Sequence, residues 1–344
     1  MLKQKEFAKE IGVNVVTVSR WETGQTDPTA SNIRAFANVL GFPATFFEGA
    51  DIDEPSSEAT SFRSQTAMSA AVRDASLAAG GIGFAISDWV QNRFTLPEPN
   101  IPNLHHFEPE MAARTLRQEW GLGEKPISNI VRLLESKGIR IFSLAENTVE
   151  VNAYSLWRKG TPYVFLNTFK TPECSRFDAA HELGHLVLHQ DCQVKGREAE
   201  DQANKFASAF LMPASDVLAA IPKVSYLGQL IEAKLRWKVS LAALVYRLHR
   251  LGIISDWKYR DYCIEMGREG YRTREPKGIE REVSAVWKKV MNELWQEKVT
   301  QREIAQELFI PEEEVSGLLF GILIPPMSKM DKPEDKTLTL LKKA

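Results

Sequence analysis

The residues best suited to chemistry lie in the stretch 176–189, which reads RFDAAHELGHLVLH and contains an HExxH pattern. On an α-helix, His181 and His185 share one face, so both imidazoles can reach the same ion. Glu182 lies beside them, where it can take a proton from a water bound to that ion. Zn²⁺ lowers the pKa of such a water to about 7. The pattern therefore predicts a zinc site with Glu182 as the general base.

A catalytic zinc site needs a third protein ligand and one position left open. The helix predicted over residues 198–213 carries three acidic side chains near its start, Glu198, Glu200 and Asp201. Glu200 lies one turn before Asn204 on the same face. Glu200 could thus bind zinc while Asn204 hydrogen-bonds a ligand histidine and fixes its tautomer and orientation. We predict Glu200 as the third ligand, with Glu198 and Asp201 as alternatives.

Three further residues near the motif have open roles. His189, one turn beyond His185, is either a further residue of the site or a group that caps the helix end, and we favour the cap. Peptide hydrolysis also needs a donor besides the metal for the transition-state oxyanion. Tyr154 and Arg176 are candidates, and nothing in the sequence selects between them.

The elements that must position these residues indicate an α+β fold that is mostly helical. Apolar, β-rich runs predict three strands, at 139–144, 148–157 and 162–167. From about residue 175 the pattern turns helical and stays so nearly to the end. A small mixed or antiparallel sheet is therefore expected to pack against the HExxH helix, in a gluzincin-like metallopeptidase domain.

The first 50 residues predict a separate, all-α unit. Helices are expected at Gln4–Ile11, Val15–Glu22 and Ala30–Leu40, with Asn14 as the N-cap of the second. The whole chain divides into units that we predict at 1–50 (helical), 51–107 (linker and helical connector), 108–255 (metallopeptidase domain), 256–325 (C-terminal helices) and 326–344 (disordered tail).

Bulk properties limit the class of protein. The chain has 344 residues, 44% of them hydrophobic, and a net charge of −2, so any DNA contact must come from local placement of residues. Its three cysteines lack CxxC spacing, which argues against a disulfide framework and a thiolate zinc site. No apolar run approaches the roughly 20 residues that span a bilayer. We expect a cytoplasmic protein without a membrane partner.

The motif region resembles a known family. RFDAAHELGHLVLH followed by ANKFASAFLMP, the approach WGLGEKPISNIVRLLESKGIRIF and the strand PYVFLN closely resemble the ImmA/IrrE metallopeptidases, over roughly residues 110–255. The resemblance implies a zinc endopeptidase that cleaves a DNA-binding repressor after a signal. Carried over, His181, His185 and Glu200 would bind zinc and Glu182 would be the general base. The strand 162–167 could be a sheet edge that a peptide extends, or a strand paired on both sides.

The N-terminal segment EFAKEIGVNVVTVSRWETGQTDPTASNIRAFANVLGFPATFF resembles the Cro/C1-type (XRE) helix-turn-helix. The resemblance makes Val15–Glu22 the recognition helix, with Val16, Thr17 and Arg20 facing the major groove of double-stranded DNA. The first helix of that domain is missing or cut short here, and the unit's charges balance, which puts strong phosphate binding in doubt.

Two functions follow from these observations. The first is a zinc-dependent endopeptidase, tethered to DNA, that acts on a transcriptional repressor or similar regulator in stress response or mobile-element regulation. The alternative is an XRE-family transcriptional regulator, of a toxin–antitoxin or phage module, whose metallopeptidase-like domain is a sensor or interaction surface. The C-terminal stretch TQREIAQELFIPEEEVSGLLFG looks like a degenerate helix-turn-helix that serves packing or formation of a homodimer.

Overall fold

The structure is a computed structural model that describes residues 2–49, 51–53, 55, 61–62, 69–144, 151–190, 194, 196–319, 321–323 and 341–342. The predicted disordered tail, 326–344, lies outside these residues except at 341–342, and so does much of the predicted linker. Within the described residues, every helix is too short or too polar to cross a lipid bilayer.

Helices dominate the fold. The first seven are α1 (Gln4–Glu10), α2 (Val15–Glu22), α3 (Ala30–Leu40), α4 (Ala70–Arg93), α5 (Pro109–Glu119), α6 (Ile130–Ser136) and α7 (Pro172–Leu188). The next eight are α8 (Arg197–Leu211), α9 (Ala214–Ala220), α10 (Gly228–Trp237), α11 (Leu241–Arg250), α12 (Asp256–Arg268), α13 (Ala285–Gln296), α14 (Gln301–Glu307) and α15 (Glu312–Leu319). A short 3-10 turn follows α3 at Ala44–Phe46.

A small mixed sheet lies at the centre. Its strands are β1 (Ser61–Phe62), β3 (Arg140–Ser143), β4 (Ala153–Arg158) and β5 (Thr161–Leu166), in the order β1-β4-β5-β3. Strand β5 pairs antiparallel with β4 and parallel with β3. A separate two-stranded ribbon joins β2 (Phe94–Thr95) to β6 (Leu341–Lys342). The prediction of a mostly helical α+β fold with a small mixed sheet is confirmed.

Two hydrophobic cores lie on opposite faces of the sheet, because successive side chains of a strand point to opposite sides. Ala153 and Val164 face the first core, which holds α5 to α12. Tyr154 and Phe165 face the second core, which holds α4 and the C-terminal helices α13 to α15. The second core thus joins residues from the predicted connector, metallopeptidase domain and C-terminal segment. The C-terminal helices therefore serve packing, which is one of the two roles predicted for them.

Carboxylates at helix N-termini hold the C-terminal segment to the first core. Glu282 Oε2 accepts hydrogen bonds from the backbone N–H groups of Ile130 (2.6 Å) and Val131 (3.3 Å), which begin α6. In return Glu135 of α6 accepts from the N–H groups of Ala285 (2.8 Å) and Val286 (3.2 Å), which begin α13. A carboxyl group there accepts from N–H groups that have no partner within the helix.

The N-terminal unit has the predicted helices, and two of the three have the predicted bounds. Asn14 caps α2 by accepting a hydrogen bond from the Val16 N–H (2.9 Å). Val18 is buried, and the rings of Trp21 and Phe36 lie 5.3 Å apart. The inward face of α2 is therefore used for packing, and its other face is available for contacts.

Strand β5 settles the alternatives left open for residues 162–167. It is paired on both sides in this sheet, so the interpretation as a sheet edge is wrong. The strand beside α7 is β4, and its outer side is paired with β1 through Ser155 opposite Ser61.

Candidate metal centre

Helix α7 carries the HExxH residues through the centre of the first core. Thr171 caps its start by accepting a hydrogen bond from the Cys174 N–H (3.3 Å), and Pro172 occupies a first-turn position where no N–H is needed. His181 and His185 are both buried, and their Nε2 atoms lie 3.1 Å apart. A helix held this firmly gives the two imidazoles a fixed separation.

Helix α8 brings Glu200 to the two histidines. Its carboxylate oxygens lie 3.4 Å from His181 Nε2 and 3.4 Å from His185 Nε2. Possible ligand atoms of these three residues all lie within 4.8 Å of one another. The alternatives are placed elsewhere: Glu198 is exposed, and Asp201 pairs with Lys205 at 2.5 Å. The structure thus brings Glu200, the predicted ligand, to the histidines and neither alternative.

Close packing of α7 on α8 sets this geometry. Gly184 lies between the two histidines in sequence, and a Cβ at that position would lie 3.1 Å from Phe206 Cδ1 and 3.2 Å from Ala203 Cα. Carbon atoms in contact are normally about 3.5–4.0 Å apart. The absence of a side chain at Gly184 therefore allows the backbones to approach closely enough for Glu200 to reach both rings.

The donor set fits a cation. His181 Nδ1 contacts Asn204 Oδ1 at 3.1 Å, and a carbonyl oxygen accepts, so the proton of that ring lies on Nδ1 and a lone pair lies on Nε2. Two imidazole nitrogens and a carboxylate then converge on one point, which satisfies the ligand preferences of Zn²⁺.

Solvent reaches the cluster on the side of Glu200. The Glu200 side chain is 23% exposed, whereas that of His185 is 4% exposed and that of His181 is fully buried. A ligand group that is buried on one side and accessible on the other agrees with a catalytic site rather than a closed structural one.

His189 does not join the metal ligands. It is the residue that ends α7, and its ring contacts two side chains: His185 through Nδ1–Nδ1 at 2.9 Å, and Gln202 Oε1 through Nε2 at 2.9 Å. Burial lowers the pKa of His189, which favours its neutral form. The predicted location at the helix end agrees with the structure, but the sequence did not reveal the contact with Gln202 of α8.

The general-base candidate has a partner that the sequence did not reveal. Glu182 is fully buried on α7, and its Oε2 accepts a hydrogen bond from Ser155 Oγ at 2.7 Å. Ser155 lies on β4 with its side chain toward α7, while the neighbouring Tyr154 points to the opposite face. The serine hydroxyl fixes one orientation of the carboxylate.

Both oxyanion candidates are wrong. The Tyr154 hydroxyl donates to Ser76 O (2.7 Å) in the second core, on the far side of the sheet. The Arg176 guanidinium is fully buried, where it pairs with Glu282 and donates to Ile127 O (2.5 Å) and Trp237 O (3.2 Å). Neither side chain faces the metal cluster.

The predicted DNA-contact residues lie on the outward side of α2. Val16 is 57% exposed, Arg20 is exposed and Thr17 is half-buried. An exposed β-branched side chain beside an arginine on a recognition helix can meet a thymine methyl and a guanine edge.

Comparison with known families agrees with both parts of the chain. Residues 134–249 match the family model of the IrrE N-terminal-like domain, peptidase family M78. Residues 1–47 match the helix-turn-helix family model. Among curated proteins, none matches the chain significantly. The chain thus combines a metallopeptidase-like domain with an XRE-type helix-turn-helix, as the sequence predicted.

Proposed function

We propose that this chain is a zinc-dependent endopeptidase and that its helix-turn-helix tethers it to DNA. The proposal starts from the match of residues 134–249 to the IrrE N-terminal-like domain. One observation supports the enzyme most directly. His181 and His185 of α7 and Glu200 of α8 converge on one point, and Glu182 lies on the same helix between the histidines.

His181, His185 and Glu200 would hold the metal. When bound there, zinc supplies a Lewis acid for the scissile carbonyl and lowers the pKa of a bound water to about 7. Asn204 keeps the Nε2 lone pair of His181 directed at the ligand position through its contact with Nδ1.

Glu182 is the proton carrier. Its carboxylate takes a proton from the attacking water and passes it to the leaving amine nitrogen, so one residue acts first as base and then as acid. The Ser155 hydroxyl, 2.7 Å from Glu182 Oε2, holds the carboxylate in place while the proton is transferred. Burial of the pair excludes bulk water, and this strengthens the electrostatic interactions of the site.

The substrate is a regulatory protein, in particular a transcriptional repressor. The helix-turn-helix supports this proposal, because a peptidase bound near an operator meets repressor molecules at high local concentration. The biological setting that we propose is a stress response or the control of a mobile element.

The test is to mix the purified chain with candidate transcriptional repressors and to look for a fragment that requires zinc. Glu182→Gln is expected to bind zinc as the wild type does and to yield no fragment, since the amide cannot accept the proton. Glu198→Gln is the matched control, because it makes the same change at an exposed site on α8, and it should cleave normally. Unchanged cleavage by Glu182→Gln would remove the proposed mechanism.

The second candidate function is a transcriptional regulator whose metallopeptidase-like domain senses a signal or binds a partner. The exposed Val16 and Arg20 on the outward side of α2 favour it. Measuring expression from the target promoter separates the two functions. A strain with Glu182→Gln that still responds to the inducing signal supports the regulator, and one that no longer responds supports the peptidase.

A further inference from the structure

A series of hydrogen bonds runs from His185 on α7 to α8, in addition to the contact between His181 and Asn204. His185 Nδ1 lies 2.9 Å from His189 Nδ1, and His189 Nε2 lies 2.9 Å from Gln202 Oε1. The first contact joins two ring nitrogens, and the second joins a ring nitrogen to an amide oxygen. The position of the proton on one histidine ring therefore determines its position on the other.

The direction of this chain follows from chemistry. The carbonyl oxygen of Gln202 can only accept, so the proton of the neutral His189 ring lies on Nε2. His189 Nδ1 then carries a lone pair and accepts from His185 Nδ1–H. The remaining nitrogen of His185, Nε2, is left without a proton, and it is the atom 3.4 Å from Glu200 Oε1.

We infer that Gln202 and His189 are positioning residues that fix His185 in its metal-binding tautomer. The inference rests on the metal site proposed above and adds two residues to it. Helix α8 then prepares both histidine ligands through amide oxygens, His181 directly through Asn204 and His185 through the His189 ring. The same helix supplies Glu200, so one element provides a ligand and sets the tautomers of the other two.

The opposite direction is incompatible with metal binding. If His189 donated from Nδ1, His185 Nδ1 would accept and the proton of the neutral His185 ring would move to Nε2. That proton would occupy the lone pair needed for the ion. Partners of metal-bound histidines of this kind typically contribute about 10- to 100-fold in metal affinity.

The first measurement is the ¹⁵N spectrum of the histidine side chains in the zinc-loaded, histidine-labelled full chain. The chain has six histidines, so the signals can be assigned by single substitutions. We expect the proton of His189 on Nε2 and none on Nδ1. A proton on His189 Nδ1 would overturn the inference, because His185 could then not donate to it.

The second measurement is the zinc affinity, by competition with a chromophoric chelator. Gln202→Met and His189→Leu are expected to weaken zinc binding by about 10- to 100-fold. His189→Asn should recover most of the affinity, because its amide oxygen can take the place of Nδ1 as acceptor. Gln118→Met, the same change at an exposed position of α5, is the matched control.

The outcomes separate this inference from the proposed function. Zinc affinities of Gln202→Met and His189→Leu equal to that of Gln118→Met would overturn the positioning role alone. A wild type that binds zinc but cleaves no regulator would overturn the peptidase alone. A wild type that binds no zinc would overturn both. Urea denaturation of each variant identifies any that lose affinity because they do not fold.

Discussion

Replacing Gly184 with alanine tests whether the close approach of α7 and α8 builds the metal site. The new Cβ would lie 3.1 Å from Phe206 Cδ1, 3.2 Å from Ala203 Cα and 3.4 Å from Ala203 O. Since carbon atoms in contact normally lie about 3.5–4.0 Å apart, the helices must separate by at least about 0.3 Å. The phenylalanine ring can turn, but the Ala203 atoms belong to the backbone of α8, so the helix itself must move.

This movement is large for a metal site. Glu200 lies one turn from Ala203 and moves with it, whereas metal–ligand distances tolerate only about 0.2 Å. We expect the zinc affinity of Gly184→Ala to fall by about 10-fold or more, the size of effect seen when the support of a metal ligand is disturbed. The free energy of unfolding of the metal-free protein should fall by about 1–3 kcal/mol through overpacking.

The matched control is Gly317→Ala on α15, where an added Cβ has no atom within 4 Å. Alanine there should leave zinc binding unchanged and raise the free energy of unfolding by up to about 1 kcal/mol, because it reduces the freedom of the unfolded chain. Chelator competition and urea denaturation measure the two quantities. Equal zinc affinity in the two variants would refute the argument that the Gly184 contact sets the position of Glu200.

Three further predictions concern stability and DNA contact. Arg176→Met should lower the free energy of unfolding by about 3–5 kcal/mol, because it leaves Glu282 buried without its cation. Turnover per folded molecule should stay unchanged, and a folded variant without turnover would restore the oxyanion role. Burial raises the pKa of Glu135 from 4.5 to about 7, because it favours the neutral carboxyl group in the folded protein. The contribution of Glu135 to the free energy of unfolding is therefore complete below pH 4.5 and is lost as the pH rises to about 7. The difference in unfolding free energy between wild type and Glu135→Gln should therefore fall by about 3 kcal/mol over this range in urea titrations at several pH values, and a constant difference would contradict the raised pKa. Arg20→Ala should weaken binding to the protein's own promoter DNA in gel-shift assays. Lys288→Ala removes an exposed positive charge on α13 and should leave this binding unchanged. Equal weakening by both variants would mean that only the total charge matters.

Local sequence signals predicted the parts of this structure that depend on local geometry. The spacing of His181 and His185 places them on one helical face in any helix, and the cap at Asn14 gave the start of α2 correctly. Glu200 was predictable because it lies near the start of the next helix. Ser155 and the partner of Arg176 were not, because those contacts join residues 27 and 106 positions apart and no periodic pattern marks them. The role of Gln202 was hidden for the same reason, since only the packed helices bring it to His189.

The carboxylates exchanged between α6 and the chain after residue 280 determine how much of the protein can fold autonomously. A polypeptide truncated at residue 255, where the metallopeptidase pattern ends, would lose Glu282 and with it the acceptor for two amides of α6 and the counter-charge of Arg176. It would also expose the sheet face that α13 to α15 cover. We therefore expect the smallest cooperative unit that retains His181, His185 and Glu200 to extend at least to Ile322, well beyond residue 249, where the family match ends.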